Sequence, residues 1–376
     1  MPPSKGPKQA AEPKVSASQR ALDKFMATAE KTYGSGKFEL GVEPSPYAVI
    51  STGSIRLDQA LVVGGYVKGR TVEIWGPEGV GKSTLVMIAI AELHRTDPEA
   101  NAYWIDMEHR HDKKLMRAYG IDLKRIVIVK PGNAEEVADM VKDACRSGLF
   151  GIVCVDSIGA MIPEIEKTKM SDEAVVANQA KIVTRMVKIA AVLCDETDTV
   201  LIMINQVRAN IVKFGNPLTT GGGFALKHGT TMKLYLRPTS EGVLSVGTGE
   251  NKQRVGHLIT VMVERNSVAL AYKKAEIAIL YAPTVEYGPM GIDWAMEAAD
   301  IGIEEGIIKQ NGGWYTNTIN DEQVQGKPAV VASLRANREL ALQVRSAALE
   351  LLAADVVLDG GAEAVAADMD EIGITS

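Results

Sequence analysis

The sequence predicts an α/β protein: a mostly parallel sheet with helices on both faces, preceded by a short N-terminal helix and followed by a small α+β C-terminal unit. Three observations carry that expectation. Between Thr71 and Gln206, apolar runs (TVEIWG, AYWID, IVIVK, GIVCVD, VLIMINQ) alternate with amphipathic helical stretches, and strands that are apolar throughout are those buried on both faces. The 376 residues are 46% hydrophobic and 23% charged, an ordinary globular composition with room for two or three domains. A glycine-rich turn, GPEGVGKS, separates the first strand of the series from its helix.

The elements follow in order. Residues 1–16 are rich in Pro, Lys, Ala and Ser and read as a disordered leader. Ala21, Phe25, Met26 and Ala29 recur at helical spacing from Ser18 to Thr32, and GSGK ends the run, so 17–48 is expected to be a helix with a linker. The core is placed at 49–285, with helices predicted from Lys82, over 112–120, over 134–146 and over 174–193. Residues 207–223 contain four glycines and no usable period, and a loop of that length inside a compact domain is usually functional or disordered. TTMKLYLRP, HLITVMVE and AEIAILYAP then extend the sheet through hairpins. Residues 286–354 form the C-terminal unit, bracketed by helices over 294–306 and 333–352, and 355–376 is an acidic tail. From Ser346 onward there are seven acids and no Lys or Arg.

Composition excludes several classes. No uncharged apolar run approaches about 18 residues, so no membrane span is expected. The first residues lack the apolar core of a secretory signal. Cys145, Cys154 and Cys194 have no CxxC spacing, which argues against a disulfide framework or a cysteine zinc site and for a reducing cytoplasm. The net charge of −6 gives no global pull on nucleic acid, so any such binding must be local.

The strongest chemical signal is Gly76, Pro77, Glu78, Gly79, Val80, Gly81, Lys82 and Ser83, a full GxxxxGK[ST] match between a strand and a helix, with Thr84 following. Glycines let backbone N–H groups face phosphates, and the helix N-terminus adds positive partial charge. Lys82 would reach the β and γ phosphates of ATP or GTP, and the Ser83 hydroxyl would ligate Mg²⁺. A second carboxylate is needed on the metal side, and Asp156, ending GIVCVD, supplies it. Hydrolysis also needs a group to orient water; Asp106 falls within its strand, so Glu108, just past it, is preferred. Asp106, Glu108, His109, His111 and Asp112 could instead ligate a transition metal, although neighbours on a strand point to opposite faces. Gln206, at the root of the long loop, is either a γ-phosphate sensor or a buried structural amide.

Motifs in fixed order then carry a resemblance: ISTGSIRLDQAL, VEIWGPEGVGKST, IDMEH, VDS, INQ, FGNPLTTGGG, KKAEIAILY and GGWY. The chain resembles bacterial RecA recombinases from about Ser18 to Leu352, as a divergent member. The resemblance implies a cytoplasmic, ATP- and Mg²⁺-dependent enzyme of DNA repair and the SOS response. It would form a helical filament of its own copies on single-stranded DNA, pair with homologous double-stranded DNA, exchange strands and hydrolyse ATP when DNA is bound. Loader proteins and a self-cleaving repressor are further implied partners. Glu108 becomes the catalytic carboxylate, Asp156 the metal-side acid and Gln206 the switch, while Asp112 and Tyr287 match positions near the adenine. The two DNA loops correspond to about 164–176 and 207–223, the latter with Gly221 and Gly222. Lys181, Lys188 and Arg208 match basic DNA contacts, and Val176 and Ile211 match apolar residues that separate base triplets. Arg265 and Ser267 align with a lysine pair that reaches a neighbour's γ-phosphate, so one cation is missing. Leu115 replaces an aromatic residue, Lys213 is an added cation, and His228 replaces an interface Phe. Two other readings share the core: a ring-forming motor ATPase, and an ATP-gated filament scaffold with incidental turnover.

Overall fold

The computed structural model describes residues 17–34, 47–110, 112–164, 172–209, 218–220, 226 and 229–359. The chain divides into two compact units, residues 1–46 and 47–376. The first holds helix α1 (Ala17–Tyr33), in which Thr28 and Thr32 hydroxyls donate to the carbonyls of Lys24 and Thr28 one turn back. Lys31 lies in its last turn, where the helix dipole favours a cation.

The second unit opens with β1 (Val49–Ile50), α2 (Ile55–Ala60) and β2 (Tyr66–Val67), and β1 and β2 pair antiparallel. Strand–helix alternation follows: β3 (Thr71–Gly76), α3 (Lys82–Thr96), β4 (Asn101–Asp106), α4 (Lys113–Ala118), β5 (Ile126–Val129) and α5 (Ala134–Ser147). It continues with β6 (Phe150–Asp156), α6 (Asp172–Thr197) and β7 (Val200–Ala209). Caps explain the helix boundaries. Asn133 starts α5 by accepting the Glu136 N–H at 2.8 Å, and Gly148, at φ 64°, ends it in a left-handed conformation.

Next come β8 (Leu218–Thr220), β9 (Met232–Val246), β10 (Gln253–Asn266), β11 (Lys274–Leu280) and β12 (Gly291–Ile292). In the large sheet the strands run β12-β11-β10-β9-β3-β7-β6-β4-β5. From β9 through β5 the pairings are parallel, whereas β9, β10, β11 and β12 pair antiparallel, so the sheet is extended through hairpins as expected. The chain ends with α7 (Trp294–Glu304), β13 (Ile308–Asn311), β14 (Trp314–Asn317), β15 (Gln323–Gln325), α8 (Lys327–Ala336) and α9 (Arg338–Asp359). β13, β14 and β15 form a separate antiparallel sheet.

The period of two divides the apolar strands between two cores. Ile202 and Ile204 of β7, with Ile152 and Cys154 of β6, face Leu85, Val86, Ile90 and Leu93 of α3. Leu201, Met203, Val153 and Val155 point the other way, against Val141 and Cys145 of α5 and Val183, Val187 and Cys194 of α6. A third cluster joins α7, α8 and α9 and also takes in Ile55 of α2.

Two sequence expectations are corrected. The stretch 207–223 is not without regular structure, because Val207, Arg208 and Ala209 pair antiparallel with Thr220, Thr219 and Leu218. The single helix over 333–352 is two helices. Asn337, extended at φ −126°, breaks the run, and its side chain then caps α9 by accepting the Leu340 N–H at 3.1 Å. Among the described residues no helix is long and apolar enough to cross a membrane.

Candidate nucleotide site

The C-terminal ends of the parallel strands converge on a cavity of about 560 Å³. That is where the chain leaves each strand for its next helix, so loop side chains and a helix N-terminus meet there. The 76–83 turn connects β3 to α3, and Gly79 (φ 74°) and Gly81 (φ 99°) take the left-handed conformation that side chains disfavour. Val80, only 3% exposed, anchors the turn by packing into the core between them. Lys82 begins α3 and donates to the carbonyls of Gly76 at 2.9 Å and Pro77 at 2.7 Å. Burial lowers the Lys82 pKa, opposed by the charges of Asp156, Glu108 and Glu78.

Two hydroxyl–carboxylate pairs stand beside this lysine. Ser83 Oγ donates to Asp156 Oδ2 at 2.7 Å, and Asp156 is pushed up to about 6, first by burial and then by Glu108 and Asp106, against the Ser83 hydrogen bond and Lys82. Glu108 Oε1 accepts from Ser157 Oγ at 2.7 Å and from Gln206 Nε2 at 2.8 Å. Its other oxygen lies 3.5 Å from Arg110, whose guanidinium also meets Glu78 of the glycine turn at 3.1 Å. The oxygen donors of Ser83 and Asp156 suit a hard divalent cation. No group of three or more His, Cys, Asp or Glu side chains able to hold a metal occurs among the described residues, which leaves the transition-metal reading without a cluster. His111 lies outside them.

Asp112 caps α4 by accepting the Lys114 N–H at 2.7 Å and lines the cavity with Leu115 and Met116. Arg254, His257 and Tyr281 line it as well. Arg254 lies over the Tyr281 ring at 5.9 Å, and His257 Nε2 is 3.3 Å from the Val80 carbonyl. Tyr287, expected near the base, does not line this cavity: its ring carries the Arg335 guanidinium at 4.2 Å. Tyr281, six residues earlier and just past the end of β11, does line it.

Residues 20–286 match the family profile of the RecA N-terminal domain. Protein RecA of Thermotoga neapolitana is 36% identical over 331 residues, covering 86% of this chain and 90% of the relative. Protein RecA of Salinispora tropica is 34% identical over 337 residues, covering 89% and 92%. The chain belongs to the RecA family.

Family membership makes it a nucleotide-binding protein of ATP-dependent DNA recombination and repair. The remaining positions drawn from the RecA resemblance are placed as follows. Lys181 and Lys188 project from α6 and, with Arg185 between them, edge an open cavity on its exposed face, while Val183, Met186 and Val187 are buried. Val176 lies in α6 and Arg208 in β7 by backbone; Ile211, Gly221, Gly222, Lys213 and His228 lie outside the described residues. The candidate first loop overlaps α6, which is helical from Asp172. Arg265 sits on β10 with Nε 3.3 Å from Ser267 Oγ and does not line the cavity of its own chain.

Sequence reasoning missed Ser157, Arg110, Arg254, His257 and Tyr281. For Ser157 a signal existed, since it follows Asp156 directly. Arg254 and His257 reach the site only because β10 lies two strands from β3, which no local pattern announces.

Proposed function

We propose that this protein binds ATP in the cavity at the end of β3, polymerises on single-stranded DNA, and pairs and exchanges strands with homologous duplex DNA. One observation carries the reading. Gln206, at the point where β7 runs out toward the glycine-rich segment, donates to Glu108 at 2.8 Å inside the cavity lined by Lys82, Ser83 and Asp156. A side chain so placed can sense a terminal phosphate and change the strand that follows it.

In this reading the N–H groups of the 76–83 turn and the N-terminus of α3 receive the phosphates. Lys82 exchanges its two carbonyl partners for β and γ phosphate oxygens. Ser83 and Asp156 would hold Mg²⁺, which neutralises phosphate charge when bound. Glu108 orients a water toward the γ-phosphorus; the new O–P bond forms as the bond to the β–γ bridging oxygen breaks, giving ADP and phosphate. Gln206 then loses its phosphate partner and returns to Glu108. Asp112, Leu115 and Tyr281 surround the base. Lys181, Lys188 and Arg208 neutralise DNA phosphates, Val176 and Ile211 enter between bases, and Gly221 and Gly222 let backbone approach the strand. Arg265 serves a neighbouring copy's nucleotide, and residues 17–48 make the contact between copies. Loader proteins and a self-cleaving repressor are partners of the assembled filament.

The test is strand exchange between homologous DNAs, with Glu108→Gln beside the wild type. The wild type should exchange strands with ATP and grip single-stranded DNA more tightly with ATP than with ADP. Glu108→Gln should keep that grip while hydrolysis falls by about a hundredfold or more. Filaments that never exchange strands would support the scaffold instead, and closed rings the motor.

A further inference from the structure

We infer that Glu73 is a positioning residue that ties both roots of the glycine-rich segment to each other and to Gln206; this rests on the switch role proposed above for Gln206. The segment follows β7, whose end pairs with β8, and the next strand after it is β9; β7 and β9 flank β3 on either side. Glu73 lies in the middle of β3 with 0% exposure. A carboxylate at such a place is costly to desolvate unless paired, and an apolar residue would hold the sheet at least as well. Its two oxygens face opposite flanks. Oε1 accepts from Asn205 Nδ2 of β7 at 2.9 Å, and Oε2 lies 3.4 Å from Lys233 Nζ of β9.

Each flank leads onward. Asn205 Oδ1 accepts the Gln206 N–H at 2.9 Å, and Gln206 Nε2 reaches Glu108 at 2.8 Å. Lys233 lies 4.9 Å from the centre of the Trp75 ring and 3.9 Å from Glu264, which accepts the Trp75 indole N–H at 2.9 Å. A polar path therefore crosses three adjacent strands from the cavity to the start of β9, the strand that follows the segment. When Gln206 turns toward a phosphate, its peptide moves against the Asn205 side chain, and Glu73 carries that shift to Lys233. Both roots respond together, which a loop held at one end cannot do.

The charge pair can be removed whole with Glu73→Gln/Lys233→Met, so that neither member is left charged without the other. Binding of a fluorescent ATP analogue and of a fluorescein-labelled oligothymidylate, the latter with ATP and with ADP, separates the steps. ATP affinity should stay at the wild-type value, while the ratio of DNA affinities with ATP and with ADP falls by about tenfold. A merely structural Glu73 would lower the melting temperature and leave that ratio alone, which overturns the inference. Should the double variant fail to fold, Lys233→Gln on its own must show the same loss, and an unchanged ratio there overturns it equally. A wild-type ratio of one would bring down the proposed function and this inference together; a normal wild-type ratio kept by the variants would bring down the inference alone.

Discussion

Two clusters in this molecule are built from the same parts and do opposite work. At the cavity, Asp156 is bonded by Ser83 and Glu108 by Ser157. At the junction of α2 and α7, Asp58 accepts from Ser51 at 2.5 Å and from the Thr52 N–H at 2.8 Å, and Glu297 accepts from Ser54 and from the Ile55 N–H. Burial raises Asp58 to about 6 and Glu297 to about 7, alongside Asp156 at about 6. A raised carboxyl pKa thus fails to separate site from scaffold. What separates them is access and a cation with replaceable partners. Asp156 and Glu108 line an open cavity beside Lys82, whereas Glu297 is 6% exposed and spends both oxygens capping the start of α2.

Substitutions in the two clusters should therefore part company. The largest effect is expected from Lys82→Ala, which should weaken ATP binding by about a hundredfold or more, because a buried charge–phosphate contact has no substitute. Its counterpart, Glu297→Ala, should lower stability by about 3 kcal/mol by stranding the donors of Ser54 and Ile55, yet leave ATP affinity untouched. Calorimetric titration and thermal melts of both variants check this, and a loss of ATP affinity in Glu297→Ala would erase the distinction. The second expectation concerns acidity. Because Glu297 is raised when folded, its contribution is complete below about pH 4.5 and is lost as pH climbs through about 7. Glu297→Gln should flatten the fall in melting temperature over that window relative to wild type.

A smaller effect belongs to the base end of the cavity. Tyr281→Ala should weaken ATP by about tenfold, and Tyr287→Ala should not, since stacking on a base is worth about 1–3 kcal/mol. Equal losses in both would return Tyr287 to the site. Smallest is a proton: at pH 6, Mg²⁺–ATP binding should release a fraction of one proton from Asp156, seen as binding heats that differ between buffers of unlike ionisation enthalpy. Asp156→Asn should make the heats agree.

The legible part of the molecule is the part written in short spacings. The glycine turn, the doubly buried strands and the acids at the ends of β4 and β6 can all be read within a dozen residues, and the structure brings Lys82, Ser83, Asp156, Glu108 and Gln206 around one cavity. The rest depends on which strands become neighbours. Tyr281 and Tyr287 look alike along the chain, and only the run of β11 beside β10 puts the first at the cavity. The β7–β8 pairing could not be read from the stretch 207–223 because it carries no alternation of apolar and polar residues to mark two strands. Asn337 was readable: an Asn followed by Arg-Glu-Leu is an ordinary helix start, masked by the apolar period on both sides.

The sheet position of β3 has a consequence for how the chain is made. Its neighbours are β7, which begins at Val200, and β9, which begins at Met232. A chain still emerging from the ribosome carries its phosphate-binding turn long before either partner strand has been synthesised. Such non-local pairing is slow to form and exposes unpaired edges meanwhile. The cavity is thus among the last things to be completed, and a nascent protein truncated before Val200 would display the nucleotide motif on a strand lacking both of its sheet neighbours.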